Sequence, residues 1–284
     1  MNDLQKVELN ILKTFVEFCD KNDLQYFLVG GSALGAVRHN GFIPWDDDVD
    51  VAMPRKDYDK FIELGKKEFT GDIFLQTWET DPNYPYNFAK LRDSRTTYVE
   101  STYKFTRMNH GAWIDVFPLD GISKKQGKVT FAMKMRVARV WPHMWFLYPK
   151  CATRKLRKNR WPIDILVNLF MYPNYIWNIN HHQNKRIDKI MRKKSYDDCY
   201  YVANMQGAWV GKEVVKKEWF GNGVKAKFED LVVNIPENYH EFLSAVYGDY
   251  MKLPPVEKQV SKHKTSGFDL NTPYYEFKKD YKKW

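Results

Sequence analysis

The sequence predicts an α+β fold, a mixed β-sheet flanked by helices and interrupted by a basic, aromatic-rich helical insertion. Three observations predict it. Short apolar or alternating runs bounded by turn residues recur between residues 25 and 121. Two longer stretches, 4–19 and 57–69, carry apolar side chains at helical spacing. From Gly121 to Tyr200 the texture changes, with 18 Lys and Arg against 4 Asp and Glu and aromatic residues set among them.

The elements follow in order. Leu4, Val7, Ile11, Phe15 and Phe18, with Leu12 and Val16 beside them, make the stripe of an N-terminal core-facing helix. Gln25–Val29 reads as a strand stopped by Gly30-Gly31-Ser32, and Ala33–Val37 is helix-compatible. After Asn40-Gly41 and Pro44, the run Asp46–Val51 (DDDVDV) reads as a second strand. Alternation there puts Asp46, Asp48 and Asp50 on one face and Val49 and Val51 on the other. Residues 57–69 read as an amphipathic helix, and Ile73–Trp78 as a strand that ends at Asp81-Pro82-Asn83. Within residues 88–97 an extended chain puts Lys90 and Arg92 on one face and Ala89 and Leu91 on the other. His110–Gly121 is a strand expected to close at Pro118 and an Asp120-Gly121 turn. Phe228–Pro236 alternates like a strand, and Tyr239–Tyr247 is a short helix capped by Gly248.

Chemistry concentrates in four places. Carboxylates stacked on one strand face repel unless a cation or proton neutralises them, and such oxygen-rich clusters suit Mg²⁺. Fifteen residues upstream of Asp46, the glycine pair opens a helix whose N–H groups can cradle a phosphate. Lys90 and Arg92 suit the phosphates of a nucleotide, or else simply face outward from a surface strand. Asp115, among Trp113, Ile114, Val116 and Phe117, is costly to bury alone, so it either pairs with a buried Arg or joins a metal site.

Strand, Gly-Gly-Ser, helix and then Asp-hydrophobic-Asp-hydrophobic resembles the nucleotidyltransferase-fold superfamily. The string GSALGAVRHNGFIPWDDDVDVAMPRKDYDKF is similar to the LicD family in particular, and KLRDSRTT and YGDYMKLPP continue the likeness. The resemblance implies a nucleotidyltransferase-like sheet and phosphocholine transfer from CDP-choline to a bacterial surface glycan, with CMP released. It implies a catalytic metal triad of Asp48, Asp50 and Asp115 holding one or two Mg²⁺ ions, or Mn²⁺ in their place. Gly30, Gly31, Ser32, Lys90 and Arg92 would seat the donor's phosphates, with Arg38 and His263 as further contacts. Trp45 is a candidate wall for the quaternary ammonium. Transfer of phosphoethanolamine, ribitol phosphate or glycerol phosphate from a CDP donor stays open. So does a nucleotide- or nucleic-acid-binding module without catalysis.

Composition bounds the rest. With 284 residues, 44% of them hydrophobic and 16% aromatic, the chain can bury a large core. Residues 1–122 are read as the catalytic core, 123–198 as the insertion and 199–284 as the part that completes the cleft. Cys19, Cys151 and Cys199 lie far apart without metal-ligand spacing, which argues for a reducing compartment. No apolar run approaches the ~18 residues of a spanning helix, and no signal peptide is seen. A cytoplasmic protein is expected, working at the inner membrane face on a lipid-linked glycan precursor. The insertion reads as core helices with a basic solvated face, as a membrane-surface patch, or as a nucleic-acid face. No nucleic-acid-binding motif is visible, so no nucleic-acid partner is expected. His181-His182, adjacent and without a spaced third ligand, is discounted as a metal site.

Overall fold

The computed structural model describes residues 1–101, 103, 106–122, 179–207, 212–261 and 263–277. The aromatic and basic run expected to form the insertion lies, from 123 to 178, outside the described residues.

The chain opens with α1 (Asp3–Lys21), started by a reciprocal capping box between Asn2 and Gln5. After β1 (Phe27–Leu28) come α2 (Gly30–His39), β2 (Asp50–Pro54) and α3 (Arg55–Glu68). Then β3 (Ile73–Gln76), β4 (Ala89–Asp93), β5 (Thr97–Glu100) and the long β6 (Ala112–Ile122) follow. Past the insertion lie α4 (Ile179–Met191), β7 (Tyr201–Asn204), β8 (Val214–Lys216), β9 (Val224–Phe228) and β10 (Leu231–Ile235). The chain continues with α5 (Tyr239–Tyr247) and β11 (Thr265–Asp269).

Seven strands make one mixed sheet in the order β1-β2-β6-β4-β3, extended by β7 on β6 and β8 on β7. Only β2 and β6 run parallel among its described pairs. All eleven residues of β6 are buried, and the sheet is organised around it. α1 packs on β6 and β4, and α3 packs on β2, β3 and β6. Edge-on contacts of Phe61 with Phe15 and Phe18 join the two helices. Two smaller ladders complete the fold, β9 with β10 and β5 with β11.

Three local expectations are corrected. The strand bearing the aspartates starts at Asp50, so Asp46, Asp47 and Asp48 lie in the loop before it. Asp46 N–H closes a turn onto the Ile43 carbonyl at 2.9 Å, which keeps this stretch out of the ladder. Pro118 and Asp120-Gly121 do not end β6. The antiparallel partner β4 reaches only to Val116 and β7 begins at Leu119, so Pro118 sits at the junction, where its missing N–H breaks no bond with either strand. Asp120 is not a turn residue: it is fully buried and bound by two Arg55 nitrogens, at 2.8 and 2.5 Å. The run Phe228–Pro236 is split by a hairpin turn at Glu229-Asp230, where Glu229 takes φ +57°.

Candidate active site

Register across the sheet builds the site. Asp50 on β2 pairs with Asp115 on β6, Asp115 with Lys90 on β4, and Lys90 with Gln76 on β3. Directly paired residues share a face, so this is one transverse row with carboxylates at one end. Lys90, only 2% exposed, reaches Asp115 Oδ1 at 3.0 Å and lies 3.8 Å from the centre of the Trp113 ring. Asp115 therefore pairs with a buried lysine rather than an arginine.

The row borders a cavity of about 380 Å³. Into it come Asp48, Asp50, Asp115, Lys90, Gly30, Gly31 and His263, residues 233 positions apart in sequence at the extremes. Three other expected contacts do not line it. Ser32 is buried, and its hydroxyl accepts the Asp50 N–H at 2.8 Å, fastening the start of β2. Arg92 shares the face of Lys90 but is fully buried, donating to Gln76 and, at 2.6 Å, to the Gly111 carbonyl, with Glu100 at 3.6 Å. Arg38 donates to the Tyr250 carbonyl at 2.8 Å and to His39 at 3.0 Å. Trp45 also stays outside the lining, edge-on to His39.

The glycine pair forms the first turn of α2, directly under the acidic loop. Gly30 holds φ +57°, and a Cβ there would lie 2.6 Å from Asp50 Oδ2. At Gly31 a Cβ would collide with Asp46. Gly30 needs glycine for its left-handed backbone, and at Gly31 any side chain would push the Asp46 carboxylate aside.

Asp47 accepts hydrogen bonds from Tyr98 (3.0 Å), Ser261 and His263 (3.1 Å). Burial opposes its ionisation, but His263 and Ser261 outweigh that and hold it below its usual range. His263 in turn is raised to about 9: burial works against its charge, yet the hydrogen bond to Asp47 and the charges of Asp48 and Asp47 prevail. Asp48, with His263 Nε2 3.9 Å away, is raised to about 6, by burial first and then Asp115 and Asp47, with His263 pulling the other way. Burial pushes Asp50 well up, and its strongest neighbours are the carboxylates Asp48, Asp115, Asp46 and Glu213. Asp115 is raised by burial against the pull of Lys90.

Asp48, Asp50 and Asp115 offer only oxygen donors, the kind a hard divalent cation takes; burial raises all three, Asp115 adds to the rise of Asp48, and both Asp48 and Asp115 add to that of Asp50. Ligand atoms of Asp47, Asp48 and His263 also lie within 4.8 Å of one another.

Several cavity residues carry no local signal in the sequence. Asp47 was hidden by the strand reading of its run, and Glu100 and Glu213 stand in unremarkable polar surroundings. Tyr86, Phe88 and Tyr247 were a few aromatics among many.

Residues 23–154 match the LicD/FKTN/FKRP nucleotidyltransferase domain. Over 267 residues the chain is 30% identical to the lipopolysaccharide cholinephosphotransferase LicD of Haemophilus influenzae, covering 93% of this chain and 96% of that protein. A 98-residue stretch, 32% of this chain and 20% of the other, is 30% identical to the human ribitol 5-phosphate transferase FKRP. The uncharacterized protein RP689 of Rickettsia prowazekii is 43% identical over 47 residues, 16% of this chain and 18% of that one. With an alignment that runs nearly the whole length of both this chain and the Haemophilus protein, the chain belongs to the LicD family.

Proposed function

We propose that the chain is a metal-dependent phosphotransferase that moves phosphocholine from CDP-choline to a hydroxyl of a cell-surface glycan precursor, of the lipopolysaccharide, capsule or teichoic-acid kind, and releases CMP. One observation carries this reading: a single cavity joins the carboxylates Asp48, Asp50 and Asp115 to the cations Lys90 and His263 and to the amide end of α2. That is the inventory phosphoryl transfer needs, because the reaction depends on positioning and on stabilising charge at phosphate oxygens.

Asp48, Asp50 and Asp115 would hold Mg²⁺, as one ion or two, or Mn²⁺. A bound ion would neutralise charge that builds on the transferred phosphoryl group. The N–H groups of Gly30 and Gly31 and the charges of Lys90 and His263 meet the donor's phosphates. The acceptor oxygen forms a bond to the choline-side phosphorus as the bond from that phosphorus to the CMP oxygen breaks. Asp115, made more basic by burial, receives the hydroxyl proton.

The FKRP likeness favours a second reading in which a polyol phosphate is moved instead. The acceptor is proposed to be lipid-linked and met at the inner membrane face. Among the described residues no helix is long and apolar enough to cross a membrane.

Isothermal titration of CDP-choline with and without Mg²⁺, on wild type and Asp48→Ala, tests the reading. Metal-dependent binding that vanishes in the variant is expected. If another CDP donor binds and CDP-choline does not, the transferred group changes and the site stands. If no nucleotide binds, the transferase reading is wrong.

A further inference from the structure

We infer that Glu213 and the aromatic residues Tyr86, Phe88 and Tyr247 form a quaternary-ammonium subsite within the same cavity. This rests on the phosphocholine reading above and assigns the part of the donor that the phosphate-binding groups do not reach.

A quaternary ammonium has no N–H, so no acceptor can hydrogen-bond it in place. Aromatic faces and a nearby negative charge are what recognise it. The cavity supplies both beside the phosphate end. Tyr86 and Phe88 stack at 4.8 Å with an interplanar angle of 27°, and Phe88 lies against Phe117 at 4.4 Å. Lys90 Nζ is 5.8 Å from the centre of the Phe88 ring, so the aromatic wall begins where a phosphate-binding cation ends. In choline only two carbons separate the phosphate oxygen from the nitrogen, and this adjacency matches that short reach. A hydrogen bond of 2.7 Å from Tyr103 to the Tyr86 hydroxyl fixes the wall in orientation.

The charge comes from the other half of the chain. Glu213, just before β8, lines the cavity and lies close enough to Asp50 and Tyr247 to raise both. Tyr247 ends α5, and the loop before β8 is tied to that helix by Lys212, which donates to the Val246 carbonyl at 3.3 Å. Glu213 belongs to no part of the Asp50–Asp115–Lys90 row, so the metal triad does not account for it.

Titrating CDP-choline, CDP-glycerol and CMP into wild type, Glu213→Gln and Tyr86→Leu, all with Mg²⁺, tests the subsite. Wild type should prefer CDP-choline to CDP-glycerol by about tenfold or more, the scale of a desolvated cation–aromatic contact. Both variants should lose most of that preference while binding CMP and CDP-glycerol as wild type does. If wild type prefers CDP-choline and both variants keep the preference, the subsite is wrong and the phosphocholine reading survives. If the variants weaken all three nucleotides equally, these residues serve the phosphate end or the fold, and the subsite is again overturned. If wild type binds CDP-glycerol and not CDP-choline, the phosphocholine reading itself fails and takes the subsite with it.

Discussion

Replacing Asp48 with Asn should stabilise the protein while removing its response to metal. The carboxyl is raised from 3.8 to about 6, and its side chain is 20% exposed. A carboxyl with a raised pKa keeps its proton in the folded state after the unfolded chain has lost it. Folding is then unpenalised below pH 3.8 and loses stability as pH climbs to about 6. At about 1.4 kcal/mol for each unit, the loss above pH 6 comes to about 3 kcal/mol. Asparagine keeps the shape and drops the charge. At pH 7.5 and without metal, Asp48→Asn should therefore melt about 6–12 °C higher than wild type, given about 2–4 °C per kcal/mol for a chain of this size. The gain should shrink toward zero as pH approaches 4. Adding Mg²⁺ should raise the melting temperature of wild type and leave the variant unmoved, since binding stabilises only the form that binds. Scanning calorimetry at several pH values, with and without Mg²⁺, measures all of this. A variant less stable than wild type at pH 7.5, or one with an undiminished Mg²⁺ response, would refute the reasoning.

Two further substitutions probe the supporting structure. Asp120→Ala strands the Arg55 guanidinium in the core and should cost about 3 kcal/mol, the low end for a broken buried pair. The low end applies because Asp59 and Asp188 remain 3.7 and 3.6 Å from Arg55, and urea unfolding would expose the error if the loss stayed under 1 kcal/mol. Glu8 on α1 is 1% exposed and raised well above its usual range by burial and then by Asp48, Asp47 and Asp46. Its raised pKa means stability that falls as pH rises through the region above 4.5, by about 1.4 kcal/mol per pH unit. Glu8→Gln should flatten that slope in pH-dependent melting curves, and an unchanged slope would show that Glu8 does not hold its proton.

The helices and most strands were legible because each displays one period cleanly. Residues 4–19 and 57–69 show a helical stripe, and the β4 segment 89–93 carries Lys90 and Arg92 on one face, where both cations lie over Trp113. Periodicity misled where side-chain chemistry overrode it. Asp-Asp-Asp-Val-Asp-Val alternates as a strand does, but Asp46 closes a turn onto Ile43, Asp47 is held by Tyr98, Ser261 and His263, and the ladder begins only at Asp50. Pro118 and Asp120-Gly121 look like punctuation, yet a change of neighbours along β6 absorbs the proline and Arg55 absorbs the aspartate. At the site, the row Asp50–Asp115–Lys90 joins residues from three strands. Its members were readable as chemistry, but their shared register was not, since pairing partners leave no mark in the sequence. The split of Lys90 from Arg92 was equally hidden, because strand alternation assigns a face and not a depth.

The acidic loop is best understood as a chain of charge control that reaches to the end of the protein. β11 pairs with β5, and the Ser101 N–H bonds the Lys264 carbonyl at 2.8 Å, so the segment just before β11 is held over the loop. From there Ser261 and His263, together with Tyr98, saturate Asp47. Burial alone would strip His263 of its proton. Asp47, kept ionised by its three donors, reverses this, and the resulting imidazolium lies beside Asp48 and lowers it. On the other side Lys90 does the same for Asp115. Both carboxylates thus feel the same two built-in cations, His263 and Lys90, while the dominant neighbours of Asp50 are all acidic. The carboxyl whose strongest neighbours include no cation is Asp50, whose backbone N–H is fastened by Ser32 and whose side chain lies against the first turn of α2. That asymmetry makes Asp50 the carboxylate that most needs a positive partner brought from solution. It also makes residues 261–263, more than 200 positions away in sequence, part of the same electrostatic unit.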